Sequence, residues 1–229
     1  MPAPRAAWGR IYAPDARDRQ YPMRAQLAKR ITPRSMFWEV GPILDQGDTP
    51  QCVAYSAEQF LQTTPLATMD GPRPAEIYTL AQQLDEWPGE AYDGTSVRGG
   101  AKALTQLGRL KSYVWASGVL DVRDWIITKG PVMMGSVWLE EMFWPDAAGI
   151  LHVGGAVAGG HAYLITGYDV HTNMFKMANS WGAGWGVQGS AWLKARDVGR
   201  LISKRGEACA AVEQLVTPVA APTAARKKR

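Results

Sequence analysis

Residues 45–57, DQGDTPQCVAYSA, set a glutamine, Gln46, six positions ahead of a cysteine, Cys52. The stretch reads as a polar turn running into a helix. Thr49 is the expected N-cap, Pro50 takes the favoured first helical position, and Val53, Ala57, Phe60 and Leu61 recur at helical spacing. Cys52 then falls in the first helical turn, where unpaired backbone N–H groups and the helix dipole favour a thiolate. On its own such a cysteine also reads as a small buried hydrophobe.

Two later segments change that balance. GGHAYLITGYD (residues 159–169) carries His161, and ANSWGAGWG (residues 178–186) carries Asn179 and Trp181. Acyl transfer at a thiol needs a nucleophile, a base, a group that orients the base, and a donor for the developing oxyanion. Cys52, His161, Asn179 and Gln46 supply these in turn. An amide in place of a carboxylate orients the imidazole without adding charge, and Trp181 is placed to shelter that bond. Each segment alone has a plain structural reading: a loop glutamine, a turn at Asn-Ser-Trp-Gly. His152, among apolar and glycine residues, and His171, in an expected hairpin turn, read as structural or exposed.

Around these segments the chain divides in two. Helices are expected after Thr49, between Pro74 and Pro88, from Ser96 to Leu107, and from Asp121 to just before Gly130. Short β-type runs follow: PVMMGSVW, HAYLITGY, NMFKMANS, GSAWLKA and AAVEQLVTP. This is an α+β pattern: a helical lobe over 41–118 carrying Cys52, a β-rich lobe over 119–216 carrying His161 and Asn179, and a site in the cleft between them. Residues 1–40, rich in Arg and Pro, read as a basic extended arm, and 217–229 as a basic flexible tail.

Composition narrows the function classes. At 229 residues, 46% hydrophobic and 20% charged, the chain can bury a sizeable core. The net charge of +4 is concentrated in the arm and tail, so weak contact of the tail with an acidic or nucleic-acid partner is the alternative to a solvated end. Two cysteines give no disulfide framework. Neither a secretory h-region nor an 18-residue apolar run is present; the expected location is cytoplasmic, or virion-associated. Without HExxH, paired CxxC, P-loop or Rossmann glycines, no metal or cofactor is implied.

Taken together, these motifs resemble the papain-like cysteine peptidases over roughly residues 41–216. Also similar are Gly41-Pro42, the GTSVRGGAKALTQLG stretch, Gly130-Pro131-Val132 and Gly167-Tyr168. The resemblance implies a papain-like two-lobed fold, with a helical left domain and an antiparallel β-barrel right domain. It also implies hydrolysis of peptide bonds through a Cys52 thioester, with an imidazolium at His161 that lowers the thiol pKa. Thr49-Pro50-Gln51 replaces the usual Cys-Gly-Ser before the nucleophile, Val53 replaces the usual aromatic, and the family's disulfides have no cysteines to form them. These departures suggest a reduced, prokaryotic or phage-type member. The forty-residue basic arm is shorter than the family's usual long inhibitory propeptide.

Two rival functions share the same residues. One is a catalytically weak papain-like module serving as a binding or virion-assembly protein, with Pro50, Gln51 and Val53 in its favour. The other is a leader-peptide peptidase or transglutaminase-like acyl transferase, which Asn179-Ser180-Trp181 disfavours because such enzymes orient the histidine with an aspartate.

Overall fold

The computed structural model describes residues 8–85 and 92–213. Three helices come first: α1 (Cys52–Gln62), α2 (Pro74–Leu84) and α3 (Val97–Gln106). Two more, α4 (Val119–Thr128) and α5 (Ala195–Ser203), are interleaved with strands. The strands are β1 (Met36–Phe37), β2 (Leu110–Trp115), β3 (Val132–Leu139), β4 (Val157–Asp169), β5 (Met174–Ala178), β6 (Ser190–Lys194) and β7 (Glu207–Glu213). They form one seven-stranded antiparallel sheet in the order β2-β7-β3-β4-β5-β6, with β1 added against β4.

Side-chain alternation gives this sheet two apolar faces. Met133, Leu164, Cys209 and Ala211 point to one side and pack with Ala57, Phe60, Leu61, Ile77 and Leu104 of α1–α3. Val132, Met134, Tyr163, Ile165, Ala208 and Ala210 point to the other, joining Trp125, Trp138, Phe175 and Leu201. Cys209 is thus a free, buried core residue. Among the described residues no helix is long and apolar enough to cross a membrane.

Several boundaries differ from the sequence expectations. The helix bearing Cys52 begins at Cys52 itself, with Gln51 as N-cap. The Thr49 hydroxyl turns back to the Gln46 carbonyl at 2.6 Å, closing a turn instead of capping the helix. α3 forms despite Gly99 and Gly100 because the Ser96 side chain accepts from Gly99 N–H. Strand β2 and helix α5 were not expected. The last strand starts three residues earlier than the AAVEQLVTP run, and that run's end, like the tail at 217–229, lies outside the described residues.

Candidate active site

Cys52 is the first residue of α1, and the first turn of a helix leaves its N–H groups without intrahelical acceptors. Its side chain packs against Val53 and Ala162. Ala162 follows His161 in β4, so the backbone of the histidine runs next to the start of the helix. The imidazole Nε2 of His161 is 2.8 Å from Oδ1 of Asn179. Its Nδ1 is buried and has no hydrogen-bond partner. Since Asn179 offers a carbonyl oxygen, Nε2 is the protonated nitrogen and Nδ1 carries the free lone pair. The Asn179 carbonyl is itself fixed, accepting from Ser180 N–H at 2.9 Å.

Aromatic rings enclose the pair. Trp181 lies over the imidazole with ring centroids 4.9 Å apart, and Trp138 meets it edge-on at 4.8 Å. Gln46 is held from both sides of the cleft. Its side-chain nitrogen donates to Thr49 O at 2.9 Å, and its oxygen accepts from Ser180 Oγ at 2.7 Å. Backbone bonds from Gln46 N to Ser180 O and from Gly182 N to Leu44 O tie the turn before α1 to the loop after Asn179. Gln46, Cys52, His161, Asn179 and Trp181, widely spaced in sequence, therefore meet in one place. His152 instead bonds Asp146 at the surface, and His171 sits in the β4–β5 turn. Among the described residues no group of three or more His, Cys, Asp or Glu is placed to hold a metal.

The arm supplies a component that sequence patterns did not reveal. It runs through the cleft directly over the cysteine. Gly9 backbone touches the Cys52 thiol, and a Cβ on Gly9 would fall 2.0 Å from Pro50 O. Arg10 N donates to Gly160 O, Ile11 N to Thr95 O, and Thr95 N to Gly9 O. Trp8 packs edge-on to His161 and Trp181. Glycines make this seat: a Cβ on Gly94, Gly159 or Gly160 would collide with Gly9, Trp8 or Arg10 respectively, at 2.5 Å or less. Beyond the cleft, Arg98 binds Asp15 and Asp18, and Arg24 binds Asp121 and Asp124 of α4.

Covered in this way, Cys52 and His161 both have 0% exposure. Burial pushes the thiol up to about 11, against smaller opposing contacts from Ala162, Gly9 and Val53 backbone. Burial also brings the imidazole down to about 4, with the Asn179 bond opposing. Desolvation thus favours a neutral thiol beside a neutral imidazole. This corrects the expected low-pKa thiol for the closed form: one helix terminus cannot offset complete removal of the sulfur from water.

Known proteins share this architecture. The structure superimposes on xylellain, a cysteine protease from Xylella fastidiosa, with a TM-score of 0.68 at 17% identity, covering 92% of this chain and 97% of that one. Procathepsin L 3 of the Tenebrio molitor larval midgut gives 0.62 at 14% identity, covering 91% and 77%. In sequence, the chain is 31% identical over 80 residues to cathepsin B-like cysteine proteinase 5 of Caenorhabditis elegans, 34% of this chain and 23% of that protein. It is 37% identical over 73 residues to mouse cathepsin O, 30% of this chain and 22% of that protein. The matched segments span under a quarter of those curated relatives. The family model for papain family cysteine proteases matches residues 88–217, more than half of the sequence and inclusive of His161 and Asn179. The chain belongs to the papain family of cysteine proteases.

Proposed function

We propose that the protein is a cysteine peptidase that hydrolyses peptide bonds through a Cys52 thioester. The observation that carries this is the state of His161: Nε2 is committed to Asn179 while Nδ1, buried and unpaired, is left beside the residue that packs on Cys52. A buried nitrogen without a partner is costly in a core and useful in a base.

Once the arm leaves the cleft, water and substrate reach both groups and the proton of Cys52 passes to Nδ1. The thiolate attacks the scissile carbonyl carbon, forming a C–S bond and placing charge on oxygen. The Gln46 amide and the Cys52 backbone N–H are the donors for that oxyanion. The imidazolium then gives its proton to the leaving nitrogen as the C–N bond breaks. Water, deprotonated by the neutral imidazole, attacks the thioester and releases the acid, and the proton returns to sulfur. Asn179 holds the ring at the correct angle throughout, under Trp181.

A thiol-directed active-site probe tests this. In a variant that loosens the arm, such as Arg10→Ala, the probe should label Cys52, and Cys52→Ala should lose both labelling and peptide hydrolysis. A chain whose exposed Cys52 labels no faster than an ordinary thiol, with no hydrolysis, would instead fit a papain-like module kept for binding.

A further inference from the structure

One side of α2 is given over to polar contacts with the loop that leads into α3. Ile77 and Ala81 turn the other way and are buried in the helical core. Tyr78, Gln82 and Asp85, at i, i+4 and i+7, share the loop-facing side. The Tyr78 hydroxyl accepts from Gly94 N–H at 2.8 Å, and the Gln82 side-chain nitrogen donates to Tyr92 O at 2.9 Å and to Gly94 O at 3.2 Å. Asp85, the C-cap of α2, takes the next two residues. Its Oδ2 accepts from the Thr95 hydroxyl, and its Oδ1 from the Ser96 hydroxyl at 3.0 Å. The Tyr92 hydroxyl also donates to Oδ2, at 3.3 Å.

The carboxylate has a seat made for it. Ser96 is the N-cap of α3 and accepts from Gly99 N–H, so Asp85 stands at a helix N-terminus, where negative charge is favoured. Gly99 leaves the room: a Cβ there would lie 2.5 Å from Asp85 Oδ1 and 2.6 Å from Thr95 Oγ1. Hydrogen bonds to a carboxylate are stronger than neutral ones, and both cysteines are free, so no disulfide ties this loop to its neighbours. What Asp85 holds is a backbone edge of the cleft. The Thr95 hydroxyl points back to the carboxylate, while its N–H donates to Gly9 O and its C=O accepts from Ile11 N–H. Gly94, at φ +104°, runs so close that a Cβ would fall 2.5 Å from Gly9 O. These are main-chain groups, open to any extended chain in the cleft whatever its side chains. A loop edge has no ladder to keep it straight, so the side chains behind it set its position.

We propose that Asp85 is a positioning residue for peptide binding: with Tyr78 and Gln82 beside it, its carboxylate keeps the Thr95 N–H and C=O aimed into the cleft for the backbone of a substrate once the arm has left. This rests on the cysteine-peptidase function proposed above and adds how that site holds its substrate. Asp85 acts through Thr95 and not on Cys52 or His161, so its loss should weaken peptide binding and spare the chemistry. Removing an interaction made equally in the ground and transition states raises KM and leaves kcat in place.

Steady-state kinetics on the full chain carrying Arg10→Ala test it. Adding Asp85→Ala should raise KM for peptide by about tenfold, the equivalent of one or two lost backbone hydrogen bonds, with kcat nearly unchanged. Iodoacetamide should label Cys52 at the parent rate, because so small a reagent needs no edge. Asp85→Asn, which keeps one acceptor oxygen, should recover part of the KM. A looser arm would lower the apparent KM, so the rise has only the substrate edge as its source. Tyr78→Phe, which withdraws a single hydroxyl from Gly94 N–H, should shift KM the same way and decides the matter where Asp85→Ala does not fold. Independently of hydrolysis, the amides of Gly94, Thr95 and Ser96 should exchange with solvent about tenfold faster in Asp85→Ala than in the native chain, with those of α1 and β4 unchanged. A KM that neither variant moves, or a fall in labelling and kcat as large as the change in KM, would overturn the assignment while leaving the peptidase standing. No hydrolysis by the parent Arg10→Ala chain, with faster exchange confined to residues 94–96, would overturn the peptidase and the substrate role together and leave Asp85 as a clamp on the arm's seat.

Discussion

The 2.8 Å bond between His161 Nε2 and Asn179 Oδ1 fixes the imidazole tautomer and leaves Nδ1 as the nitrogen without a partner. With that bond removed, the ring loses its tautomer and its orientation together. Asn179→Ala should therefore slow both Cys52 alkylation and peptide turnover in the arm-loosened chain, each by an order of magnitude or more. Alkylation kinetics and turnover measured on one preparation check this. An unchanged alkylation rate would show that Trp181 and Trp138 hold the ring without Asn179.

Gln46 should behave differently, because an oxyanion donor acts only after charge has moved to oxygen. Gln46→Ala should lower kcat by about 10²–10³ and change Cys52 alkylation far less. It also strips a partner from Thr49 O and from the Ser180 hydroxyl. A loss of stability of about 1–3 kcal/mol should accompany it, visible as a lower midpoint in urea. Equal effects on alkylation from Gln46→Ala and Asn179→Ala would mean that the two roles are misassigned.

The residues of the candidate site stood out in the sequence because the proposed chemistry restricts them to a few types in recognisable local settings. The arm in the cleft was not. It is held by extended-backbone bonds to Gly160 and Thr95 and by one buried ion pair, none of which imposes a sequence period. Gly159 and Gly160 look like turn residues in sequence, yet they lie within β4, kept small by Trp8 and Arg10 above them. The helix start was misplaced because Thr49-Pro50 satisfies capping chemistry equally well as a turn. Helix α5 was missed although ARDVGRLIS spaces Val198, Leu201 and Ile202 at i, i+3 and i+4 toward the core; the segment is only nine residues long, follows a strand directly and carries Gly199 in its middle.

Gly9 offers a direct handle on the closed state. Its missing side chain lets the arm pass within contact of Pro50, and Gly9→Ala would place a methyl 2.0 Å from that carbonyl oxygen. The arm then cannot seat, and Cys52 should alkylate faster by an order of magnitude or more, with the apparent thiol pKa falling from about 11. Cys209, buried in the helical core with its thiol pushed well up by burial, should remain unreactive in the same sample. Mass mapping of the iodoacetamide adducts against pH reads both. An unchanged profile in Gly9→Ala would mean the arm does not protect the thiol in solution.

Acidification should weaken the closed fold through His161. Its ordinary value of 6.5 falls to about 4 in the folded chain because burial penalises the charged ring. Between those values the unfolded chain takes up a proton that the folded chain refuses, so this contribution to stability is present above pH 6.5 and is lost as pH falls toward 4. Glu207 and Glu58, both raised by burial, act in the opposite sense. The test is consequently a difference: Tm should decline more steeply from pH 7 to 4 in the native chain than in His161→Gln. Parallel curves would show that His161 is hydrated and titrates normally.

Neither cysteine is bridged, and both are buried in the described structure. Reductant should therefore leave Tm unchanged. A marked drop on adding it would reveal an intermolecular bridge.

Digestion of a peptide library by the Arg10→Ala chain, with and without Cys52→Ala, bears most directly on the claim that Cys52 is a peptidase nucleophile screened by its own arm. The opened chain should cleave peptides, and the Cys52→Ala counterpart should cleave none. Cleavage that persists without Cys52, or its absence in an opened chain whose Cys52 alkylates freely, would contradict the claim.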